Sequence, residues 1–319
     1  MPAISASSPG KVILFGEHAV VYERPAIAVP VAQVKTKVTI LAEPLKSPGS
    51  VLIESPAIGL HANLDTLPAD DPLALAIHHT QAALNVDHLP AMTIRITSSI
   101  PVAAGLGSGA SVSVALTRAL AAFLGNPLSD EKVSLIAYQV EKKHHGNPSG
   151  IDNTVITYAQ PVFFTRGQPF ELLPVAEPFT LVIADSGIKS PTILAVADVR
   201  NCWLENPVFY DNLFDKIGAI SQQARRIISD GPCRLLGPLM TANQNLLMQI
   251  GVSCPELDFL ITTALEAGAL GAKLSGSGRG GNMIALVAPD LAGAVSAALI
   301  QAGATNTLIT QVLPSKSNC

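Results

Sequence analysis

Two glycine-rich segments are the parts of the sequence whose residue types point most directly to a bound ligand. Residues 105–110 (Gly-Leu-Gly-Ser-Gly-Ala) and 276–281 (Gly-Ser-Gly-Arg-Gly-Gly) both fit the pattern G-x-G-x-x-[GA]. Glycine lets a backbone approach a phosphate closely, and N–H groups at the start of a helix attract an anion. Because Ser108, Gly109 and Ala110 open an apolar helical segment, the first segment predicts a phosphate-binding loop. A glycine turn that only permits close packing is the alternative.

The same pattern occurs in dinucleotide-binding folds, where it needs a strand directly before it, a helix after it and an acidic residue about 20 positions further on. The second segment fails this test, because a predicted strand at 282–287 follows it. The first is separated from the preceding strand by residues 100–104, and the element after its helix is another helix. The spacing therefore disfavours a nicotinamide site. The sequence has no G-x-x-x-x-G-K-[ST], which excludes a Walker-type loop.

Three charged side chains lie where a purely structural role is not the obvious one. Lys11 interrupts an apolar strand, Glu141 lies near the C-terminal end of a helix, and Asp152 lies in a segment rich in turn residues. A buried cation usually has a partner, and a carboxylate at a helix C-terminus needs a cation or a metal ion to offset the dipole. Structural alternatives remain for each: a lysine that reaches water, pairing of Glu141 with Lys142, and an aspartate that bonds its own backbone.

Composition excludes several classes of protein. The 319 residues carry a net charge of −4, only 14% are charged, and no run of lysine or arginine exceeds two, which disfavours nucleic-acid binding. The mean hydropathy of +0.39 raises the question of a membrane span. However, the longest apolar stretches, 26–32 and 291–300, are interrupted by Pro30 and Ser296 and are shorter than the roughly 18 residues that a spanning helix needs. With no N-terminal signal segment and no C-x-x-C among four cysteines, we expect reduced thiols and a cytoplasmic protein.

Hydrophobic periodicity predicts the elements that must hold these residues in the first half of the chain. Strands are expected at 11–15, 34–41 and 92–97, and helices at 73–84, 110–123 and 129–143, the last with Ser129 as its N-cap. A proline-rich stretch at 169–178 then breaks the pattern and marks a domain boundary.

The second half reads as a strand at 180–185, a long amphipathic helix at 210–230, and a capping box at 253–256 that opens another helix. Strands at 272–274 and 282–287, a helix at 290–302 and a strand at 307–312 follow. Without the inserted helices the order is β-α-β-β-α-β, the split βαβ or ferredoxin-like pattern.

Four segments, taken together and in this order, resemble the GHMP kinase superfamily. They are 8–22 (SPGKVILFGEHAVVY), 100–111 (IPVAAGLGSGAS), 145–153 (HGNPSGIDN) and 273–281 (KLSGSGRGG). The third of them resembles the mevalonate kinase branch in particular. The resemblance implies an α+β GHMP kinase fold, in which a ribosomal-protein-S5-like N-terminal domain (1–172) packs on a ferredoxin-like C-terminal domain (173–319) around a cleft that holds the active site.

The resemblance also implies an activity: ATP-dependent phosphorylation of the 5-hydroxyl of mevalonate, which gives 5-phosphomevalonate and ADP for isoprenoid precursor synthesis. A sister kinase acting on phosphomevalonate, a sugar or homoserine is the first alternative, and a diphosphomevalonate decarboxylase of the same fold is the second. A non-catalytic relative is disfavoured, because Lys11 and Asp152 are both present. The expected partners are small molecules, with no nucleic acid and no membrane, and a homodimer is a further expectation from the family.

The resemblance assigns roles residue by residue. Asp152 is the base that faces the acceptor hydroxyl, and Lys11 is the cation beside it. Mg²⁺ is expected to be held by Glu141 and Ser108. The ATP phosphates are expected on Gly105, Leu106, Gly107, Ser108, Gly109, Ala110 and Ser111. The acceptor pocket is expected to contain Lys11, Glu17, His18, Tyr22, Asp152, Gly276, Ser277 and Gly278.

The sequence departs from the family pattern at four places. Gly109 replaces the serine that usually binds the metal, so Ser108, Ser111 or water must substitute for it. Arg279 stands where the third loop usually has glycine, and either contacts phosphate or faces solvent. Tyr22 replaces a histidine that many eukaryotic relatives carry, and residues 158–160 replace a glycine-rich segment.

Overall fold

The computed structural model describes residues 3–101, 105–145, 148–189 and 192–314. The chain forms two units that interleave along the sequence. The first unit comprises Met1–Gly10, Val34–Val102 and Leu106–Ala159, and the second comprises Lys11–Gln33, Ala103–Gly105 and Gln160–Cys319. The predicted domains, 1–172 and 173–319, have different boundaries from these units. The division at residue 172 stays a prediction.

The sheet of the first unit is built from residues 3–10 of β1 (Ala3–Phe15) and residues 34–42 of β2 (Ala26–Ala42), together with β3 (Val51–Ser55), β4 (Leu60–Asn63) and β5 (Met92–Ser98). The strand order is β4-β3-β5-β2, and β1 also pairs with β2. β2 runs antiparallel to β5, from Thr36 opposite Ser98 to Ala42 opposite Met92, whereas β3 is parallel to β5. The predicted strands at 34–41 and 92–97 are thereby confirmed.

In the described part of the first unit the helices are α1 (Pro72–Ala83), α2 (Ser108–Phe123), α3 (Asp130–His145) and α4 (Ile151–Tyr158). The core between the sheet and these helices is aliphatic; it includes Val38, Ile40, Ile77, Ile94 and Leu116. α3 begins as predicted, since Ser129 Oγ accepts a hydrogen bond from the N–H of Lys132 at 3.4 Å. The interpretation of 147–153 as turn residues is wrong at Asp152, which lies in the first turn of α4.

The second unit contains the short strands β6 (Val162–Phe164) and β7 (Glu171–Leu172), with β6 paired to residues 26–28 of β2. Its main sheet has four antiparallel strands in the order β11-β8-β10-β9, formed by β8 (Phe179–Asp185), β9 (Gly271–Ser275), β10 (Asn282–Val287) and β11 (Asn306–Val312). This order is the expected split βαβ arrangement.

The helices of the second unit are α5 (Thr192–Glu205), α6 (Pro207–Asp230), α7 (Leu236–Ile250), α8 (Pro255–Glu266) and α9 (Ala292–Gln301). The long amphipathic helix is confirmed as α6, whose Leu213, Phe214 and Ile217 are buried in the core of this unit. Among the described residues, no helix combines the length and the apolar character that crossing a membrane requires.

The predicted capping box at 253–256 is wrong. Because Pro255 is the first helical residue of α8, the N-cap is Cys254, whose side chain makes no capping hydrogen bond. The Ser253 hydroxyl instead donates to Asp258 Oδ1 at 2.5 Å, and Gln244 Nε2 donates to the same carboxylate oxygen at 3.1 Å. The hydrogen bond from Gln244 on α7 to Asp258 on α8 therefore ties the two helices together.

Candidate active site

The loop before α2 has the backbone expected of a phosphate-binding segment. Gly105 and Gly107 adopt positive φ angles of 72° and 74°, and Gly107 is the N-cap of α2. The N–H of Ser111 donates to Gly107 O at 2.9 Å, which is the first bond of the helix. The N–H groups of the preceding turn, 108–110, have no acceptor within the helix, so they are available to an anion at its positive end.

β1 passes close to this loop at Gly10. A Cβ at Gly10 would lie 3.0 Å from Val34 Cγ2 and 3.3 Å from Leu106 O, so the close approach of the two segments needs glycine. The first and second family segments are thus adjacent within the first unit.

Ser111 does not present its polar groups to the loop. Its side chain is fully buried, and its hydroxyl forms a 2.7 Å hydrogen bond with the Ser8 hydroxyl, while Ser8 Oγ donates to Ser111 O at 2.6 Å. With its N–H bonded to Gly107, Ser111 has an architectural role between β1 and α2. Contact with phosphate or metal is therefore expected from the residues before it.

The oxygen donors that remain for Mg²⁺ are Glu141 on α3 and Ser108 at the start of α2, both only partly buried. Mg²⁺ takes one or two carboxylates and completes its shell with substrate phosphates and water. One carboxylate and one hydroxyl on helices of the same unit fit that requirement. Among the described residues, no three acidic, histidine or cysteine side chains form a metal cluster.

Asp152 is held by its neighbours on α4. The adjacent Asn153 is buried and donates through Nδ2 to Ser134 O at 3.1 Å and to Ser134 Oγ at 2.8 Å on α3. Arg118 on α2 donates to Asp130 Oδ1 and to Thr157 O, both at 2.6 Å. These bonds fix α4 to α2 and α3, so the half-buried Asp152 is carried on a rigid element.

In the second unit, Lys11 and Glu17 are both buried, at 5% and 3% exposure. Glu17 Oε1 forms an ion pair with Lys273 on β9, whose Nζ also donates to Leu274 O at 2.5 Å. Burial raises the pKa of Glu17, and the ammonium groups of Lys273 and Lys11 act against that rise. Glu17 therefore belongs to a buried ion pair within the second unit.

His18 contacts the second glycine-rich segment, residues 276–281. Its Nε2 lies 2.9 Å from Ser277 O, which can only accept, so Nε2 carries the proton and donates. Burial lowers the pKa of His18 from 6.5 to about 4, and the charge of Arg279 acts in the same direction. The imidazole is therefore neutral at physiological pH. The backbone of His18 has a positive φ of 60°, which is unusual for a residue other than glycine.

The 276–281 turn is anchored to two neighbouring carbonyl groups. Arg279 N–H donates to Val252 O at 2.7 Å, and Gly281 N–H donates to Ile188 O at 2.8 Å. At Gly278, with φ of 73°, a Cβ would lie 2.0 Å from Val252 O, so that only glycine fits. The Arg279 guanidinium pairs with Asp198 on α5. The side chain thus ties the turn to α5.

Tyr22 lies in an aromatic cluster of the second unit. Its ring stacks on Phe214 with centroids 4.2 Å apart and tilts against Trp203 at 5.3 Å. Burial raises the pKa of its phenol. Tyr22 therefore packs against apolar rings of α5 and α6, at the position where many eukaryotic relatives carry a polar histidine.

Lys11, Glu17, His18 and the 276–278 turn belong to the second unit, whereas residues 106–111, Glu141 and Asp152 belong to the first. Sequence reasoning missed Lys273 as the partner of Glu17. The signal was the one that singled out Lys11, a lysine inside an apolar strand.

Comparison with known proteins agrees with these features. The family model for the GHMP kinase N-terminal domain matches residues 73–160, and that for the GHMP kinase C-terminal domain matches 230–305. Mevalonate kinases of Thermococcus sibiricus and Pyrococcus abyssi are both 35% identical to this chain; the alignments cover 94% and 97% of the chain and 93% and 95% of the relatives.

Solved structures give the same result. The L. major mevalonate kinase, determined in complex with R-mevalonate, has a TM-score of 0.83 at 33% identity, and covers 98% of this chain and 96% of that one. The Methanococcus jannaschii mevalonate kinase has a TM-score of 0.84 at 25% identity, with 99% of both chains covered. The fold is therefore the GHMP kinase fold, and the chain belongs to the GHMP kinases, within the mevalonate kinase family.

Proposed function

We propose that this protein transfers the γ-phosphoryl group of ATP to the 5-hydroxyl of mevalonate. The observation that carries the proposal is the 35% identity to mevalonate kinases over nearly the whole chain, with Lys11, Glu141 and Asp152 all present. A Streptococcus pneumoniae phosphomevalonate kinase and a Lactococcus lactis galactokinase share the fold at only 16% and 18% identity, so neither supports another acceptor.

Phosphoryl transfer depends mainly on positioning and on stabilisation of charge. The N–H groups of 108–110 bind the phosphates of ATP at the positive end of α2. Glu141 and Ser108 would hold Mg²⁺, which supplies neutralisation of the β- and γ-phosphate charge when bound. Because backbone N–H groups and Mg²⁺ supply most of the interactions with the phosphates, a protein of net charge −4 can bind a polyanion.

Asp152 accepts the proton of the 5-hydroxyl as the oxygen attacks the γ-phosphorus. The new bond joins that oxygen to phosphorus, the bond from phosphorus to the β,γ-bridging oxygen breaks, and its electron pair leaves with ADP. The Lys11 ammonium stabilises the negative charge on the attacking oxygen and on the transferring group. The 276–278 turn and Tyr22 border the acceptor.

Three further expectations stay predictions: the two domains divided near residue 172, a cytoplasmic location and a homodimer. They rest on the sequence and on the family resemblance.

A substrate panel tests the proposal. ADP release is coupled to an indicator reaction and measured with ATP, Mg²⁺ and, in turn, mevalonate, phosphomevalonate, galactose and homoserine; CO₂ release is measured with diphosphomevalonate. We expect turnover with mevalonate alone. Turnover with another acceptor but not with mevalonate, or release of CO₂, would overturn the proposal.

A further inference from the structure

Arg24 lies two positions after Tyr22, and its guanidinium group is bound on three sides within the second unit. Its Nη1 donates to Tyr22 O at 2.7 Å, and its Nε donates to Asp215 Oδ1 on α6 at 2.9 Å. Its Nη2 donates to Asp211 Oδ1, one turn earlier on the same helix, at 3.4 Å. Because a guanidinium group carries its donors in a rigid planar fork, these contacts together fix the orientation of the side chain.

The aliphatic stem of Arg24 packs on α6 at a glycine. A Cβ at Gly218 would lie 3.3 Å from both Cβ and Cγ of Arg24, which is closer than ordinary van der Waals contact. Glycine is unfavourable inside a helix, and at this position it makes room for the arginine. The side chain of Arg24 is only 27% exposed. Both its stem and its charged group are therefore held against α6.

The backbone between Tyr22 and Arg24 is strained. Glu23 has a positive φ of 65°, a conformation that costs energy in a residue other than glycine. The N–H of Arg24 donates to Ala19 O at 3.1 Å, and Nη1 of the same residue reaches back across Glu23 to Tyr22 O. A strained conformation persists where the surrounding contacts determine it. The contacts of Arg24 thus hold the main chain on both sides of Glu23.

The same contacts reach the rings that pack on Tyr22. The Tyr22 ring stacks on Phe214 with centroids 4.2 Å apart and tilts against Trp203 at 5.3 Å. Trp203 Nε1 donates to Asp211 Oδ1 at 3.3 Å, and this oxygen is the one that also accepts from Arg24. Aromatic pairs have preferred geometries, so fixing Trp203 also restricts the ring beside it.

We propose that Arg24 is a positioning residue for the acceptor: by holding Tyr22 O and, through Asp211, Trp203, it keeps the Tyr22 ring in one place at the border of the acceptor pocket. Arg24 itself is not expected to touch either substrate. A wall of the pocket contacts the acceptor equally before and during transfer, so displacing it weakens binding and leaves the chemical step unchanged. This inference rests on the function proposed above, because it takes Tyr22 as a residue that borders the acceptor.

The test is a double-mutant cycle of Arg24→Met and Tyr22→Ala. Met keeps an unbranched stem without donors, so we expect KM for mevalonate to rise at least about fivefold, while kcat and KM for ATP stay within about twofold of wild type. Tyr22→Ala is expected to raise KM for mevalonate at least as much. Since that variant has no ring to position, adding Arg24→Met to it is expected to change KM by less than about twofold.

Arg225→Met is the matched control. Arg225 also lies on α6, forms an ion pair with Glu171 at 2.5 Å, and lies over the Phe163 ring at 5.1 Å from its centroid. Its removal therefore costs comparable contacts that belong to other residues. Both KM values are expected to stay within about twofold of wild type.

Trp203 gives a readout that does not depend on turnover, because it is the only tryptophan of the chain and its ring contacts Tyr22. Mevalonate added without ATP is expected to change the tryptophan emission of the wild type. The mevalonate concentration that gives half of this change is expected to rise at least about fivefold in Arg24→Met and to stay within about twofold in Arg225→Met.

The proposal is overturned if folded Arg24→Met binds mevalonate as the wild type does, or if its kcat falls while KM does not change. It is also overturned if the effects of the two substitutions on KM multiply, since they would then act independently. Circular dichroism and thermal unfolding establish which variants are folded. If Arg24→Met does not fold, Arg24→Lys replaces it in the cycle, because it keeps the stem and the charge but cannot reproduce the planar fork; its KM for mevalonate is expected to rise at least about threefold.

Failure of the proposed function is a separate result, because it appears as absent turnover of mevalonate by the wild type. The cycle is then carried out with the alcohol that the wild type does phosphorylate. If the wild type phosphorylates mevalonate and the cycle gives independent effects, only the role of Arg24 is contradicted.

Discussion

Ser8 on β1 and Ser111 on α2 are 103 positions apart in the sequence, and their hydroxyl oxygens lie 2.7 Å apart in the interior of the first unit. This contact joins the first two family segments. Because the Ser111 hydroxyl is engaged with Ser8, we expect Mg²⁺ to be bound by other oxygen atoms.

Replacing Ser111 by alanine is therefore expected to affect stability more than chemistry. The variant leaves the Ser8 hydroxyl with one partner fewer in a buried place, at a cost of about 1–2 kcal/mol in the free energy of unfolding. We expect kcat and the Mg²⁺ requirement to stay near wild type, as measured by urea unfolding and steady-state kinetics. The matched variant Ser108→Ala is expected to raise the Mg²⁺ requirement and lower kcat, while its free energy of unfolding stays near wild type. A raised Mg²⁺ requirement in Ser111→Ala would contradict this assignment.

Gly109 offers a direct way to test the metal site. A Cβ at this position would meet no protein atom within 4 Å, so a serine fits. Gly109→Ser is expected to lower the Mg²⁺ concentration for half-maximal activity about threefold or more, since it adds an oxygen ligand. Gly109→Ala is the control, because both substitutions stabilise the helix by up to about 1 kcal/mol but only serine adds a hydroxyl. Equal effects of the two on the Mg²⁺ titration would exclude a metal at this position.

Asp152→Asn tests the base. The amide has nearly the same shape but cannot accept the proton of the acceptor hydroxyl, so kcat is expected to fall at least about tenfold, or ~1.4 kcal/mol in activation free energy. The melting temperature is expected to change little, because α4 is held through Asn153 and Arg118. A smaller fall in kcat would show that Asp152 does not take the proton.

The buried His18 makes stability depend on pH. Its pKa is 6.5 in the unfolded chain and about 4 in the folded protein, so between these values the unfolded chain binds more protons. The free energy of unfolding is therefore highest above pH 6.5 and falls on acidification, by about 3 kcal/mol at pH 4 from this group.

The control for this prediction is His18→Gln, whose amide can still donate to Ser277 O but does not titrate. Arg279, whose charge acts on His18, and the neighbouring Glu17 are present in both proteins. The difference between the free energies of unfolding of the two proteins, measured at pH 4, 5, 6 and 7, therefore isolates the contribution of the histidine. Parallel pH curves would mean that His18 is accessible to protons in the folded state.

Much of the fold follows from local patterns. The alternation at 34–41 and the 3.6-residue period of α6 each identify an element, because one side of the element faces a core. Asp152 was misplaced because glycine, proline and asparagine before it predict a turn, and the short helix that follows is fixed by the contact of Asn153 with Ser134. Tertiary contact outweighed local propensity there.

The residues of the candidate site can be predicted from the sequence where they lie in motifs, but not where the site depends on contacts between residues far apart in the chain. Lys11, Asp152 and the glycine segments are visible in the sequence. The partner of Glu17 is not, since no local pattern links residue 17 to residue 273. The same is true of Ser111, whose hydroxyl looks available until the fold brings Ser8 beside it.

The interleaving of the two units has a consequence for synthesis on the ribosome. Residues 11–33 emerge early, but their partners within the second unit include Lys273 for Glu17, Ser275 for Ile13 and Thr310 for Gln33. The first unit has all its segments once residue 159 has emerged. Residues 11–33 can therefore form these contacts only after almost the whole chain has been synthesised. The first unit can therefore fold during translation, whereas the second unit, which contains Lys11, is completed only near the end of translation.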